Sequence, residues 1–229
     1  MLDFSYFFAN QISKTPLHAY TMPELYMART CKWGVLTVVG GEVWDHSGDA
    51  LITPANNRLS GREGLDSMIH AKAGQELTQV TRNICLEKRK INAPPCAVTH
   101  NVVTEPFALA ANYKYIIHAV GPDCRRPSQD ESRRQLLPET YHNLFDRFKE
   151  MKDIQRIVSP PISMGIFGYP HREGARITLE VLLNHLDGEE DPGFREFVLV
   201  IKERNFINNM RTVYRESEDQ LPGVDTTSM

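Results

Sequence analysis

From Gly34 onward, short runs that are apolar at nearly every position alternate with longer stretches whose apolar residues recur at helical spacing. Residues 35–39, 50–53, 98–103, 113–120, 157–159 and 197–201 read as strands, rich in valine and isoleucine. Residues 65–74, 75–86, 175–186 and 206–214 read as helices. So does a segment in which Leu137, Tyr141, Leu144, Phe145 and Phe148 share one face and Pro138 occupies the first turn. A strand with one wetted face alternates apolar and polar residues, whereas a solid apolar run has to be covered on both faces. Strands of that kind separated by helices specify an α/β fold: a three-layer α/β/α domain around a mixed, largely parallel sheet. It spans 34–214, with no internal repeat and no second core.

Two segments lie outside this pattern. Residues 1–33 carry Phe4, Tyr6, Phe7, Phe8, Tyr20 and Tyr26, and that aromatic content predicts an N-terminal extension that packs on the core, as short helices; the alternative is a disordered arm. The tail 215–229 is polar, contains Pro222-Gly223 and reads as disordered.

Composition narrows the function. Of 229 residues, 26 are Lys or Arg and 29 Asp or Glu, for a net charge of −3. No broad positive field exists to attract nucleic acid, and none is expected as a partner. A phosphate ligand would have to be held locally, by backbone amides. The longest apolar runs, such as 115–117 and 197–201, are far short of the ~18–20 residues of a membrane span. Asp3 and its polar neighbours stand where a signal peptide would be basic and then apolar. Cys31, Cys85, Cys96 and Cys124 form no Cys-x-x-Cys pair, which fits a reducing cytoplasmic or nuclear compartment. No His/Asp/Glu group has metal-ligand spacing along the chain, and neither metal nor cofactor is expected. The expected state is a monomer.

Ligands of open α/β sheets bind beyond the C-terminal ends of the strands, so the loops that follow strands carry the chemistry. The first holds Gly41, Glu42 and Val43, a carboxylate beside a backbone amide that suits an exocyclic amine; an acid after a strand is also an ordinary solvated residue. The second runs from Ala55 to Asp66. Asn56 offers donor and acceptor to a vicinal diol, Gly61 and Gly64 permit close backbone approach, and Asp66 at a helix start is either a reacting carboxylate or a capping one. The third comprises Ser163, Met164, Gly165, Ile166, Phe167, Gly168, Tyr169 and Pro170. Its consecutive amides before a helix suit an anion, although a tight turn would look the same. It is neither a Walker loop nor a dinucleotide fingerprint.

Together and in this order, these loops resemble those of the macrodomain family, ADP-ribose-binding α/β/α modules, and are most similar to its MacroD-type hydrolase branch. The residues that carry the resemblance are Asp49-Ala50-Leu51-Ile52-Thr53-Pro54-Ala55-Asn56, then Leu65-Asp66-Ser67-Met68-Ile69-His70-Ala71-Lys72-Ala73-Gly74. Tyr115-Ile116-Ile117-His118-Ala119-Val120-Gly121-Pro122 and the stretch from Gly165 to Pro170 extend it over roughly 34–214.

The resemblance implies that Glu42 and Val43 meet the adenine, with glutamate where most members have aspartate. It further implies that Asn56 holds the distal ribose, that Asp66 is the catalytic acid, and that residues 163–167 wrap the diphosphate. Phe167 would lie against the distal ribose and Phe206 stack on the adenine. The activity implied is hydrolysis of mono-ADP-ribosyl conjugates: ADP-ribose on acidic side chains, O-acetyl-ADP-ribose or ADP-ribose 1″-phosphate. The partner would be ADP-ribose or an ADP-ribosylated protein; the alternative is a non-catalytic reader. Two departures stand out. Thr53-Pro54 replaces Asn-Ala, and the family's run of four glycines is Gly61-Arg62-Glu63-Gly64 here, so Arg62 either contacts phosphate or points with Glu63 into solvent. His70 and His118 are expected to be structural, and a Cys96 nucleophile is not expected.

Overall fold

The structure is a computed structural model and describes residues 24–125 and 135–217. Its strands are β1 (Leu25–Thr30), β2 (Val35–Gly40), β3 (Ala50–Pro54), β4 (Asn101–Thr104), β5 (Tyr115–Ala119), β6 (Arg156–Ser159) and β7 (Glu196–Ile201). The α-helices are α1 (Gly64–Ala73), α2 (Gln75–Lys90), α3 (Leu136–Glu150), α4 (His171–Leu186) and α5 (Arg204–Glu216). All seven strands join one sheet in the order β1-β2-β7-β6-β3-β5-β4. The five inner strands are mutually parallel, and β1 and β4 close the two edges antiparallel to β2 and β5.

The solid apolar runs have the cause expected of them. Along β7, Phe197, Leu199 and Ile201 enter a core shared with α3, α4 and α5, while Val198 and Val200 face the opposite core under α1 and α2. The period of two along a strand sends neighbours to opposite faces, and here both faces are dry. Asp49, at the start of β3, ties the lower edge of the sheet. Its Oδ2 accepts from the amides of Gln155 (2.7 Å) and Arg156 (2.9 Å), and its Oδ1 pairs with Lys114 at 2.7 Å.

The N-terminal segment departs from expectation. Leu25–Thr30, assigned from sequence to an extension packing as short helices, is an edge strand antiparallel to β2, in register from Met27↔Val38 to Thr30↔Val35 with a shift between Leu25 and Met27. Its exposed–buried pattern lacks the solid apolar run that marks the inner strands. Residues 1–23, the polar loop 126–134 and the tail from 218 lie outside the described residues. The strand expected over 98–103 is confined to Asn101–Thr104, and the last helix runs on to Glu216. Among the described residues no helix is long and apolar enough to cross a membrane.

Candidate functional site

The C-terminal ends of β2, β7, β6 and β3 open into one cleft of about 680 Å³. Glu42, Val43, Asn56, Gly64, Asp66, residues 163–167 and Phe206 all line it. Residues separated by up to 164 positions are therefore brought together by parallel strands that end on the same side of the sheet.

The loop after β6 is held by its carbonyls. Ser163 O accepts from the amide of Tyr169 (3.0 Å), Gly165 O from Gly168 (2.9 Å) and Phe167 O from Cys124 (2.7 Å), while Met164 O lies 2.9 Å from His171 Nε2. Among the described residues, the amides of 163–167 donate no hydrogen bond to the protein. Ser163 sits at φ 67°, an uncommon conformation for a residue with a Cβ. Consecutive amides without acceptors, just before the N-terminus of α4, make an anion-binding concavity.

The opposite wall is the start of α1. Gly64 sits at φ 55°, where a side chain is strained, and a Cβ there would come within 2.9 Å of Ile166 Cδ1, so the two walls meet at this point. Gly61, the other glycine expected to approach a ligand, is placed differently. It is not part of the cleft lining, and at φ 57° its Cα packs on the His70 ring, which a Cβ would approach to 2.4 Å. Arg62 and Glu63 are exposed; Glu63 comes to 3.8 Å from Arg125. Arg125 is bound to Asp123 and places its guanidinium 5.4 Å from the centre of the Phe167 ring.

Asp66 lies in the first turn of α1, whose N-cap position is taken by Glu63. Its Oδ1 accepts from Thr53 Oγ1 at 2.7 Å, and it is 3 % exposed. Burial drives its carboxyl above the usual range, against the opposing pull of the Thr53 hydroxyl, His70 and the Gly61 amide. Behind it lie His70, with Nε2 3.8 Å from Asp66 Oδ1, and His118, whose ring meets His70 edge-on at 5.7 Å. Burial holds His70 below the usual imidazole range and His118 down at about 3, so both rings are neutral.

Each member of this trio is anchored by a threonine: Asp66 by Thr53, His70 by Thr78 and His118 by Thr104. The remaining atoms, Asp66 Oδ2, His70 Nε2 and His118 Nδ1, are buried without a partner. One ligand atom from each of the three lies within 4.8 Å of the others, a grouping that sequence spacing could not show because Asp66 and His70 lie on α1 and His118 on β5.

Asn56 is committed locally. Its Oδ1 accepts from the amides of Arg58 (3.0 Å) and Ser60 (3.3 Å), and its Nδ2 donates to Ser60 Oγ at 2.7 Å. This fixes the carboxamide and leaves it one N–H for a ligand. At the other end, Tyr113 donates its hydroxyl to Val43 O, and Glu42 pairs with Lys202. Phe206, in the first turn of α5, is 1 % exposed and edge-on to His171, a wall rather than an open stacking plate. Cys96 is buried and its thiol is raised to about 11, so it is inert.

Sequence reasoning did not find Thr53, Arg125, His171 or Lys202 as parts of the site. Thr53 carried a signal, since a hydroxyl there replaces an expected carboxamide. The others act through neighbours that only the strand order reveals.

This cleft, on a mixed α/β/α sheet and bounded by an open row of amides, defines an anion-binding α/β domain of a known kind. The Macro domain family model matches residues 52–178, and the chain belongs to that family. It is 31% identical over 190 residues to an O-acetyl-ADP-ribose deacetylase of Cronobacter sakazakii, covering 83% of this chain and 98% of that protein. An Oceanobacillus iheyensis macrodomain solved with ADP is 26% identical, with a TM-score of 0.72 over 85% of this chain and 97% of the other. A Trypanosoma brucei macrodomain in complex with ADP-ribose shares the fold at 21% identity and a TM-score of 0.63, covering 77% of this chain and 68% of that one.

Proposed function

We propose that this chain binds ADP-ribose and hydrolyses mono-ADP-ribosyl conjugates: O-acetyl-ADP-ribose, ADP-ribose 1″-phosphate or ADP-ribose on acidic side chains. The observation that carries this is the pairing of two features in one cleft, the unsatisfied amides of 163–167 and the buried carboxylate of Asp66. The amides neutralise the diphosphate, with Met164 and Gly165 at the turn of the loop. Asn56 gives its free N–H to the distal ribose, and Phe167 packs against that ring.

Asp66 activates a water at the anomeric carbon or at the ester carbonyl. Its environment suits a base: burial raises its pKa toward neutrality, and the Thr53 hydroxyl fixes which oxygen stays free. Acceleration comes from positioning and from donors already in place, not from a covalent intermediate. A non-catalytic reader is the second reading, favoured by how little of Asp66 reaches the cleft surface. We take the compartment to be the cytoplasm, in keeping with four free thiols, and the working unit to be a monomer.

The test compares wild type with Asp66→Ala and Asp66→Asn. Both variants should bind ADP-ribose within about fivefold of wild type by calorimetry. Their kcat/KM on O-acetyl-ADP-ribose should fall by about 10² or more, the usual effect of losing a general base. Binding without release from O-acetyl-ADP-ribose, the 1″-phosphate or a glutamate-linked protein, even by wild type, leaves the reader. No binding at all removes both readings.

A further inference from the structure

The parallel register pairs Gly40 of β2 with Ile201 of β7, so the residues just beyond both strand ends face each other across the rim of the cleft. On one side is Glu42 and on the other Lys202, and their side chains form an ion pair. Both line the cleft, next to Val43 and Phe206. The juxtaposition does not depend on one rotamer of a long side chain, because the ladder between adjacent strands fixes the two backbone positions. Val43 is held in turn by the buried hydroxyl of Tyr113.

Taking the proposed ADP-ribose reading as its basis, this rim is where the purine base sits. A lone carboxylate there selects a 6-aminopurine, since it accepts from N6–H and repels a carbonyl oxygen. A carboxylate with an ammonium beside it presents an acceptor and a donor together. We propose that Lys202 determines base specificity and that, with Glu42, it lets the cleft take a 6-oxopurine nucleoside diphosphate ribose as well as ADP-ribose.

With adenine, Glu42 accepts from N6–H and Lys202 can donate to N1. With hypoxanthine, the same two groups serve in exchanged positions: Glu42 accepts from N1–H and Lys202 donates to O6. A carboxylate has about four acceptor sites on its two oxygens, so the ion pair does not exhaust Glu42.

Removing the ammonium affects the two bases unequally. Adenine loses a donor to N1 but gains a carboxylate released from its ion pair, so the net change is small. Hypoxanthine loses the donor to O6 and is left with an unscreened carboxylate beside that oxygen. A site built to hydrogen-bond one edge discriminates strongly once a buried or shielded group is left unpaired.

The experiment is calorimetric titration of the full chain with ADP-ribose and with inosine diphosphate ribose, using wild type, Lys202→Met and Glu42→Gln. Lys202 is exposed, so methionine keeps the apolar stem without touching the core; an unchanged melting temperature verifies this. Wild type should bind the two ligands within tenfold of each other. Lys202→Met should widen the ratio against the inosine ligand by fivefold or more. Glu42→Gln should weaken both ligands. Adenine preferred by more than tenfold in wild type, or a ratio unmoved by Lys202→Met, overturns the proposal while leaving ADP-ribose binding intact. If wild type binds neither ligand, the ADP-ribose reading itself fails, and the two failures are told apart by that result.

Discussion

Thr53 shows how one hydroxyl can set the behaviour of a buried acid. It is fully buried at the end of β3 and donates to Asp66 Oδ1, the strongest of the groups that counter burial by stabilising the charged form. Valine has nearly the same shape but no donor. Thr53→Val should therefore raise the pKa of Asp66 further, because the charged form loses a hydrogen bond while its desolvation is unchanged. If Asp66 acts as a base, it works only when deprotonated, so the acidic limb of the pH–rate profile should move to higher pH. At neutral pH kcat/KM should drop by about tenfold, with KM little changed. A fall in rate with no movement of the limb would assign Thr53 to packing alone. The substitution of threonine for asparagine was visible in the sequence, but its consequence was not: the hydrogen bond joins β3 to α1 across a loop whose path depends on Gly61 seating against His70.

At the level of elements, the strands that carry the cleft are aligned from their opposite ends. Asp49 accepts two amides at the start of β6 and the ammonium of Lys114 before β5, so it sets the stagger of three strands whose far ends form the site. Burial alone would push its carboxyl up, but these donors outweigh it and hold the pKa below the usual value. A carboxyl depressed in the folded state adds stability above its unfolded pKa, near 3.9, and that contribution is lost as pH falls through the folded value. Asp49→Ala should cost about 2–3 kcal/mol at pH 7, since two backbone donors lose a charged acceptor. Urea denaturation at pH 7 and again below pH 4 checks this: the gap between wild type and variant should narrow in acid. An equal gap at both pH values would mean that the loss is one of packing.

Most elements were legible beforehand for the same reason that they are stable. The inner strands, such as 197–201, are apolar at every position because both faces are dry, and α3 shows its face through Leu137, Tyr141, Leu144, Phe145 and Phe148. Edge strands carry less signal. Leu25–Thr30 pairs with one neighbour and leaves half its residues exposed, so its hydrogen bonds, which no side-chain pattern encodes, are what make it a strand. The site follows the same division. Glu42, Asn56 and Asp66, which line the cleft in segments that follow strands, could be named from type and position. Lys202 and Arg125 could not, because only the folded sheet brings them beside Glu42 and Phe167.

For the molecule as a whole, a net charge of −3 sets how a phosphate ligand can be held. Long-range attraction is weak, and two cations beside the cleft are already engaged, Lys202 with Glu42 and Arg125 with Asp123 and Glu63, while Arg62 is exposed. Under the proposed function, the diphosphate is left to the amides of 163–167, whose partial charges act at contact distance. Salt screens charges that are separated by roughly a Debye length, about 10 Å at 0.1 M, but has little effect on hydrogen bonds made inside a cleft. Affinity for ADP-ribose should therefore change by less than about threefold between 50 and 500 mM NaCl, measured by calorimetry at constant pH. Arg62→Ala, which removes an exposed cation from the rim, should be equally mild. A fall of tenfold or more with salt, abolished in the Arg62→Ala variant, would instead give the diphosphate to that side chain and make the arginine between Gly61 and Gly64 a gain in charge rather than a change of surface.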